Sequence, residues 1–442
     1  MAVNEQSSAP SYDSQNSNKD PSLRRPLQEH LVRNFLNAVQ LRTTELHDAE
    51  PTEAKILLRD ALRERATDIH LDSSMNGVLI RFRIDGIVTD GTFLDPATGK
   101  QIVNQFKNMA RFNPKKCFAP EQGRFTHQIG DDLQVDLRVS RIPCLRGDKL
   151  SIRLFELPVR PYQLHELGLY EKGLEYIQDW LSDISGLLLV AGPTGCGKTT
   201  TLYSLLHKLK LHERNILTLE DPVEYEVQGI NHIQVDDLHG LGFDEGIKAM
   251  LRLDPDYMML GEIRDAPSAK AAIAAAGSGH AVMSTLHSRD ALGVIDTLFH
   301  FGISGDEISS NLILVVAQRL VRKLCRQCRI EEAPNKEEIQ WLTKLNRYIP
   351  EKVWHSRGCV HCRNTGYHGL TGVFEVWRVD REDYQLILHE ADRRTRYQQL
   401  TKRGHQFLLD KGLEKVSEGI TSLSELRAMT GFGALPELDT VS

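Results

Sequence analysis

Between the apolar run Leu187 to Ala191 and a segment whose Leu202, Leu205, Leu206 and Leu209 recur at helical spacing lies Gly192-Pro193-Thr194-Gly195-Cys196-Gly197-Lys198-Thr199. A buried strand that turns through glycines directly into a helix fits few architectures, chief among them an α/β sheet whose loops gather at the carboxyl ends of the strands. The pattern is G-x-x-x-x-G-K-[ST]. Glycines let backbone N–H groups close around a phosphate, and the helix N-terminus adds positive potential. Lys198 is expected to reach the β and γ phosphates of ATP, Thr199 to ligate Mg²⁺, and Thr200 to extend the same loop. The alternative, a glycine-rich turn that binds nothing, is disfavoured by the conjunction of strand, loop and helix.

From about Pro161, buried-type strands alternate with helical segments: Leu187 to Ala191, Ile216 to Leu219, Tyr257 to Leu260 and Ala281 to Leu286. This predicts βαβ units around a mainly parallel sheet. Glu262 ends the third of these strands, and Glu220 and Glu224 follow the second. Carboxylates at strand ends face the ligand in such a sheet. Glu262 is expected to polarise the attacking water or hold the Mg²⁺ shell. Three carboxylates beside a triphosphate require a cation, although Glu220 and Glu224 alone also fit a solvated acidic turn. His280 and His287 flank the fourth strand on opposite faces, roughly 23 Å apart by rise, which excludes a metal pair. Each fits a γ-phosphate or subunit-interface sensor, or an ordinary histidine.

The first 155 or so residues read differently. Residues 1–26 are rich in Ser, Asn, Gln, Asp and Pro and are expected to form a disordered tail. Helical spacing follows in Leu31, Phe35, Leu36 and Val39 within Leu27 to Leu46, and again in Ala54, Leu57, Leu58 and Ala61. Val78, Ile80, Phe82 and Ile84 then alternate with polar positions up to Asp85-Gly86, a hairpin signal. Two more strands, Leu133 to Val139 and Leu150 to Leu154, complete a small α+β domain. Their apolar faces leave Arg138 and Arg153 pointing the other way.

Cys325, Cys328, Cys359 and Cys362 form two C-x-x-C hooks separated by 30 residues. Four thiolates can hold Zn²⁺ tetrahedrally even across a long loop, because closure entropy grows slowly with length. Such a closed site is structural. The alternative, two redox C-x-x-C motifs, is disfavoured because neither hook opens a helix after a strand. From Asp380 to Phe432 the chain reads as helical, with Ser422 and Glu425 forming a capping box for the last helix.

Net charge −6, with 54 basic and 60 acidic residues, gives no field for a nucleic-acid backbone. No apolar run approaches the ~18 to 20 residues of a membrane helix, and Met1 to Asp20 is polar rather than signal-like. A cytoplasmic protein of two or three domains is expected from its 442 residues.

The glycine loop, Ile216 to Tyr225, Asp254-Pro255-Asp256 with Gly261-Glu262-Ile263-Arg264-Asp265, and Gly279-His280 to Leu286-His287 resemble the Walker A, Asp, Walker B and His boxes of the ATPases of type II secretion and type IV pilus assembly. Ala66-Thr67-Asp68-Ile69-His70-Leu71 and Arg81 to Gly86 extend the resemblance, which covers about Thr52 to Phe432. It implies a homo-hexamer peripheral to the inner membrane, working on a platform protein and membrane-anchored assembly proteins, without nucleic acid. It also implies a PAS-like domain over 27–158, a RecA-like P-loop motor over 159–320, a zinc subdomain over 321–374 and a helical subdomain over 375–434, with a tail at 435–442. Arg138 and Arg153 match the family's phosphate-contacting arginines, and Arg252 an interface arginine. Lys248 departs from a common arginine and lacks its bidentate fork. The zinc subdomain points to extrusion rather than retraction. The sequence lacks the large extra N-terminal domain of many assembly motors, so docking is expected to differ or to use Leu27 to Leu46. A nucleotide-gated scaffold with little turnover is opposed by the intact Lys198, Glu224 and Glu262. A helicase is opposed by the lack of basic, aromatic-bearing loops.

Overall fold

The computed structural model describes residues 52–114, 118–129, 133–156, 162–182, 185–209, 213–236 and 239–430. The expected helix Leu27 to Leu46 and both tails lie outside them. The chain divides into two compact units, Met1–Phe155 and Glu156–Ser442.

The first unit runs α1 (Glu53–Arg63), β1 (Ala66–Ser74), β2 (Gly77–Ile84), β3 (Ile87–Leu94), α2 (Pro96–Met109), β4 (Glu121–Ile129), β5 (Leu133–Cys144) and β6 (Gly147–Glu156). Its six strands are ordered β3-β2-β1-β6-β5-β4. Period-two alternation sends Ile69, Leu71, Ile80, Phe82, Val135, Leu137, Leu150 and Ile152 to one face. There they meet Leu57, Leu58 and Ala61 of α1 and Ile102 and Phe106 of α2. Asp95 caps α2 by accepting from the Ala97 and Thr98 N–H groups. The opposite face is polar and charged.

The second unit runs α3 (Glu171–Ser182), β7 (Gly186–Ala191), α4 (Lys198–Leu206), β8 (Ile216–Glu220), β9 (Asn231–Gln234), α5 (Phe243–Met250), β10 (Tyr257–Ile263), α6 (Ala266–Gly277), β11 (Ala281–Leu286), α7 (Ala291–His300), α8 (Gly305–Asn311) and β12 (Leu312–Leu324). Then follow β13 (Ile330–Glu332), α9 (Lys336–Lys344), β14 (Val353–His355), β15 (Tyr367–Arg378), α10 (Arg381–Leu388), α11 (Arg393–Lys402), α12 (Leu408–Ser417) and α13 (Leu423–Thr430).

Its seven-stranded sheet has the order β15-β12-β7-β11-β10-β8-β9. Strands β12 through β9 are parallel, and β15 is antiparallel to β12. Leu187 and Leu189 pack with α6 and α7 on one face, while Leu188 and Val190 join Trp180 of α3 and Leu202 of α4 on the other. Burial on both faces explains why these strands read as unbroken apolar runs.

The expected boundaries at 320/321 and 374/375 fall inside β12 and β15, which pair from Leu314↔Arg378 to Leu324↔Tyr367. The cysteine segment is an insertion between two strands of the main sheet. Leu342 of its α9 and Leu345 just after it pack against Leu409, Val416 and Leu426 of α12 and α13. Arg329 stacks on Trp354 at 4.3 Å. The Glu425 N–H donates to Ser422 Oγ at 3.2 Å, the cap expected for α13.

Candidate active site and metal centre

Ala191 at the end of β7 is in register with Leu286 at the end of β11, and the Gly192 N–H donates to the Leu286 carbonyl at 3.2 Å. The glycine loop therefore leaves the sheet beside His287. Glycine is required at Gly192 because an added Cβ would lie 2.4 Å from Cys196 Sγ and 2.6 Å from the Gln318 carbonyl. At Gly197, the N-cap of α4, φ is 89°. Lys198 Nζ curls over the loop and donates to the carbonyls of Gly192 at 2.9 Å and Pro193 at 3.2 Å. Burial lowers its pKa below the ordinary lysine value. Pro193, Thr194, Gly195, Thr199 and Thr200 are exposed around the loop.

Two residues of β12, not singled out by any sequence pattern, support this loop. Buried Gln318 donates from Nε2 to the Cys196 carbonyl at 2.6 Å and accepts from Thr201 Oγ1 at 2.7 Å. Arg319 donates to the carbonyls of Gln318 and Arg289, which ties the loop to the turn after His287. Burial lowers its pKa as well.

Glu262 sits one residue before the end of β10, paired with Arg264 and with Oε2 3.6 Å from His287 Nε2. The His287 pKa is lowered, first by burial and then by Lys198 and Arg264, which favours the neutral ring. Arg264 also reaches Asp221 at 3.0 Å. Lys198, Glu262 and His287 thus occupy one edge, and a neutral histidine beside a carboxylate can help orient a water.

Two expectations need correction at this edge, those for Glu220 and for a γ-phosphate role of His280. Glu220 is 3% exposed, and its oxygens accept from Tyr203 Oη at 2.6 Å, Thr218 Oγ1 at 2.7 Å and His232 Nδ1 at 2.9 Å. Three donors thus hold the carboxylate inside its own buried cluster rather than in the open at the loop. His280 lies at the far end of β11, where its carbonyl accepts from Gly186 N–H at 3.0 Å and its Nδ1 stands 2.9 Å from Ser278 Oγ. A γ-phosphate role in its own chain is ruled out by that distance along the strand. Arg252 is exposed before the start of β10, also at the amino edge. Lys248 pairs with Asp244 at 2.5 Å. Glu224 lies on the loop after β8, its N–H donating to Tyr203 Oη at 3.3 Å.

In the first unit, both expected arginines lie on the polar sheet face. The Arg138 guanidinium stacks over the Phe155 ring at 4.5 Å, and Arg153 Nε donates to Asp68 Oδ1 at 3.0 Å with its side chain 61% exposed.

The four cysteines of the insertion converge, with all sulfurs within 4.8 Å of one another and none in a disulfide. Cys325 and Cys359 lie 3.8 Å apart, Cys328 and Cys362 3.7 Å, and Cys359 and Cys362 3.8 Å. A tetrahedron with metal–sulfur bonds of about 2.3 Å has sulfur–sulfur edges of about 3.8 Å, so the donor set fits Zn²⁺. The N–H groups of Cys359 and Gly366 each donate to Cys362 Sγ at 3.2 Å, as hydrogen bonds to a thiolate would.

A parallel sheet with a lysine-bearing glycine loop at its carboxyl edge defines a P-loop ATPase fold. The profile of the family described as Type II/IV secretion system protein matches residues 45–428, and the chain belongs to that family. It is 37% identical over 374 residues to the Vibrio cholerae type II secretion system ATPase E, covering 85% of this chain and 74% of that one. Against the Acinetobacter baylyi type IV pilus assembly ATPase TfpB it is 37% identical over 371 residues, 84% of this chain and 63% of the relative. The solved ATPase DotB of Legionella pneumophila shares the fold, with a TM-score of 0.64 at 20% identity, covering 87% and 97% of the two chains.

Proposed function

We propose that this chain is an ATPase that powers assembly of a pilus or pseudopilus, in type IV pilus biogenesis or type II secretion. The convergence of Lys198, Glu262 and His287 at one sheet edge, in a chain of the Type II/IV secretion family, carries the proposal. Lys198 exchanges its carbonyl partners for β and γ phosphate oxygens, while the loop N–H groups hold the phosphates in place. Thr199 would hold Mg²⁺, which neutralises charge on the phosphate oxygens. Glu262 and Glu224 orient the attacking water, with His287 kept neutral beside Glu262.

The reading extends to a hexamer at the cytoplasmic face of the inner membrane, acting on a platform protein and membrane-anchored partners. In it the first unit is PAS-like, and its Arg138 and Arg153 meet the triphosphate. His280 and Arg252 serve subunit contacts. Zn²⁺ on Cys325, Cys328, Cys359 and Cys362 fixes the insertion. Among the described residues no helix is long and apolar enough to cross a membrane, which fits attachment through partners. Phosphate release from ATP with Mg²⁺ tests the enzyme directly. Its absence at concentrations well above assembly overturns the proposal.

A further inference from the structure

The loop between β8 and β9 carries Glu224 but forms no helix or strand over 221–230. Something else must hold it, because a misplacement of about 1 Å in a catalytic group can cost ~10²-fold in rate. The buried Glu220 cluster supplies the means. Val227 N–H can only donate, so His232 Nε2, 3.0 Å away, accepts from it. The ring proton therefore sits on Nδ1, which donates to Glu220 Oε1 at 2.9 Å. On the other side, Glu220 Oε2 accepts from Tyr203 Oη at 2.6 Å, and Tyr203 Oη accepts from the Glu224 N–H at 3.3 Å.

One carboxylate thus anchors the loop backbone at both 224 and 227. His232 is placed for this by the parallel pairing Thr218↔His232, and Thr218 Oγ1 completes the cluster at 2.7 Å from Glu220. The rings add shape: Tyr225 lies 4.3 Å from Tyr203 by centroid, and the His232 ring is nearly parallel to that of Tyr203, at 13° and 6.3 Å between centroids. Burial, followed by the Glu220 charge, pushes the Tyr203 pKa well above the phenol range and keeps its proton. Tyr203 belongs to α4, the helix that begins at Lys198 and Thr199.

We infer that Tyr203, Glu220 and His232 are positioning residues that reference the Glu224 loop to the phosphate-binding helix. The inference rests on the ATPase reading above. None of the three touches the reacting atoms; they act through Glu224. Loss of the Tyr203 hydroxyl leaves Glu220 Oε2 short of a donor and the Glu224 N–H without its acceptor, while the glycine loop keeps its own contacts.

The test is a double-mutant cycle on the full-length protein, reading kcat and the KM for ATP. Tyr203→Phe should lower kcat by about ten- to a hundredfold with KM within about threefold of wild type. Combined with Glu224→Gln, it should add little to the loss caused by Glu224→Gln alone. Full additivity would mean a general structural effect and would overturn the inference, as would an unchanged kcat for Tyr203→Phe or for Glu224→Gln. If Tyr203→Phe does not fold, His232→Asn takes its place in the cycle, because it keeps a donor toward Glu220 and loses the acceptor for Val227. A lowered kcat that adds little to Glu224→Gln again supports the inference, and additivity or an unchanged kcat again overturns it. Absence of hydrolysis by the wild-type protein would instead strike the ATPase reading itself.

Discussion

At the carboxyl edge of the seven-stranded sheet, the groups that carry the site have protein partners: carbonyls for the Lys198 ammonium, Gln318 for the loop, Arg264 for Glu262. At the cysteine cluster the thiols face mainly one another. Burial pushes Cys328 up to about 12, while a backbone N–H at Cys362 pulls Cys359 down to about 7, and thiolates packed this closely repel one another unless a cation lies among them. The first region is set by sheet packing, and in the proposed function it exchanges partners when nucleotide binds. The second has the donor set of a Zn²⁺ site, and we propose that the ion completes it. A motor edge has to bind and release, whereas a structural knuckle has to stay closed.

The contrast can be broken most sharply at Lys198. Lys198→Ala should remove nucleotide binding and lower turnover by about 10³-fold or more, without a loss of folding, because the fold loses only two hydrogen bonds, to the buried Gly192 carbonyl and the exposed Pro193 carbonyl. Calorimetric binding of ATP together with circular dichroism checks both halves. Unfolding of this variant would mean that the edge depends on its lysine as the knuckle is proposed to depend on an ion.

The charge at the edge sharpens the comparison further. Lys198 and Mg²⁺ offset only part of a triphosphate, and P-loop motors add an arginine worth ~10³ to 10⁵ in rate. Arg138→Ala and Arg153→Ala should each lower kcat by about 10³-fold with the fold intact, and activity should rise with protein concentration as rings assemble. Surface arginines without this role would change stability by less than about 0.5 kcal/mol and leave the rate alone. Steady-state kinetics of the double mutant above the assembly concentration separates the two cases.

The smallest effect on ATP binding belongs to the knuckle. The purified chain should carry about one Zn²⁺, and Cys328→Ser or chelation should lower Tm by roughly 5 °C or more through α9, α12 and α13. ATP affinity should stay within about threefold of wild type. Metal analysis of a reduced preparation with no zinc would remove the knuckle from this account.

Much of this contrast was legible in the sequence. The glycine loop, the strand ends and the cysteine spacing are local patterns whose chemistry does not depend on distant chain. Glu220 and Glu262 show where locality stops. Both end buried strands, but Tyr203, 17 residues earlier, and His232, 12 residues later, claim the first. Gln318 and Arg319 leave no local pattern because β12 joins the sheet beside β7 more than a hundred residues after the loop it supports. Their signal was weak as well, since the following cysteines interrupt the βαβ rhythm and hide β15 as the partner of β12. His280 and His287 look equivalent in sequence, yet parallel pairing puts one at each edge.

Glu262→Gln offers the most direct measurement of the claim that this edge hydrolyses ATP. The amide keeps the shape and loses the charge, so ATP should still bind while phosphate release falls by about 10²-fold or more. Nucleotide binding and phosphate release measured on the same preparation give the answer. Retained binding with release nearly abolished is the predicted result, and near wild-type turnover by Glu262→Gln would contradict the account.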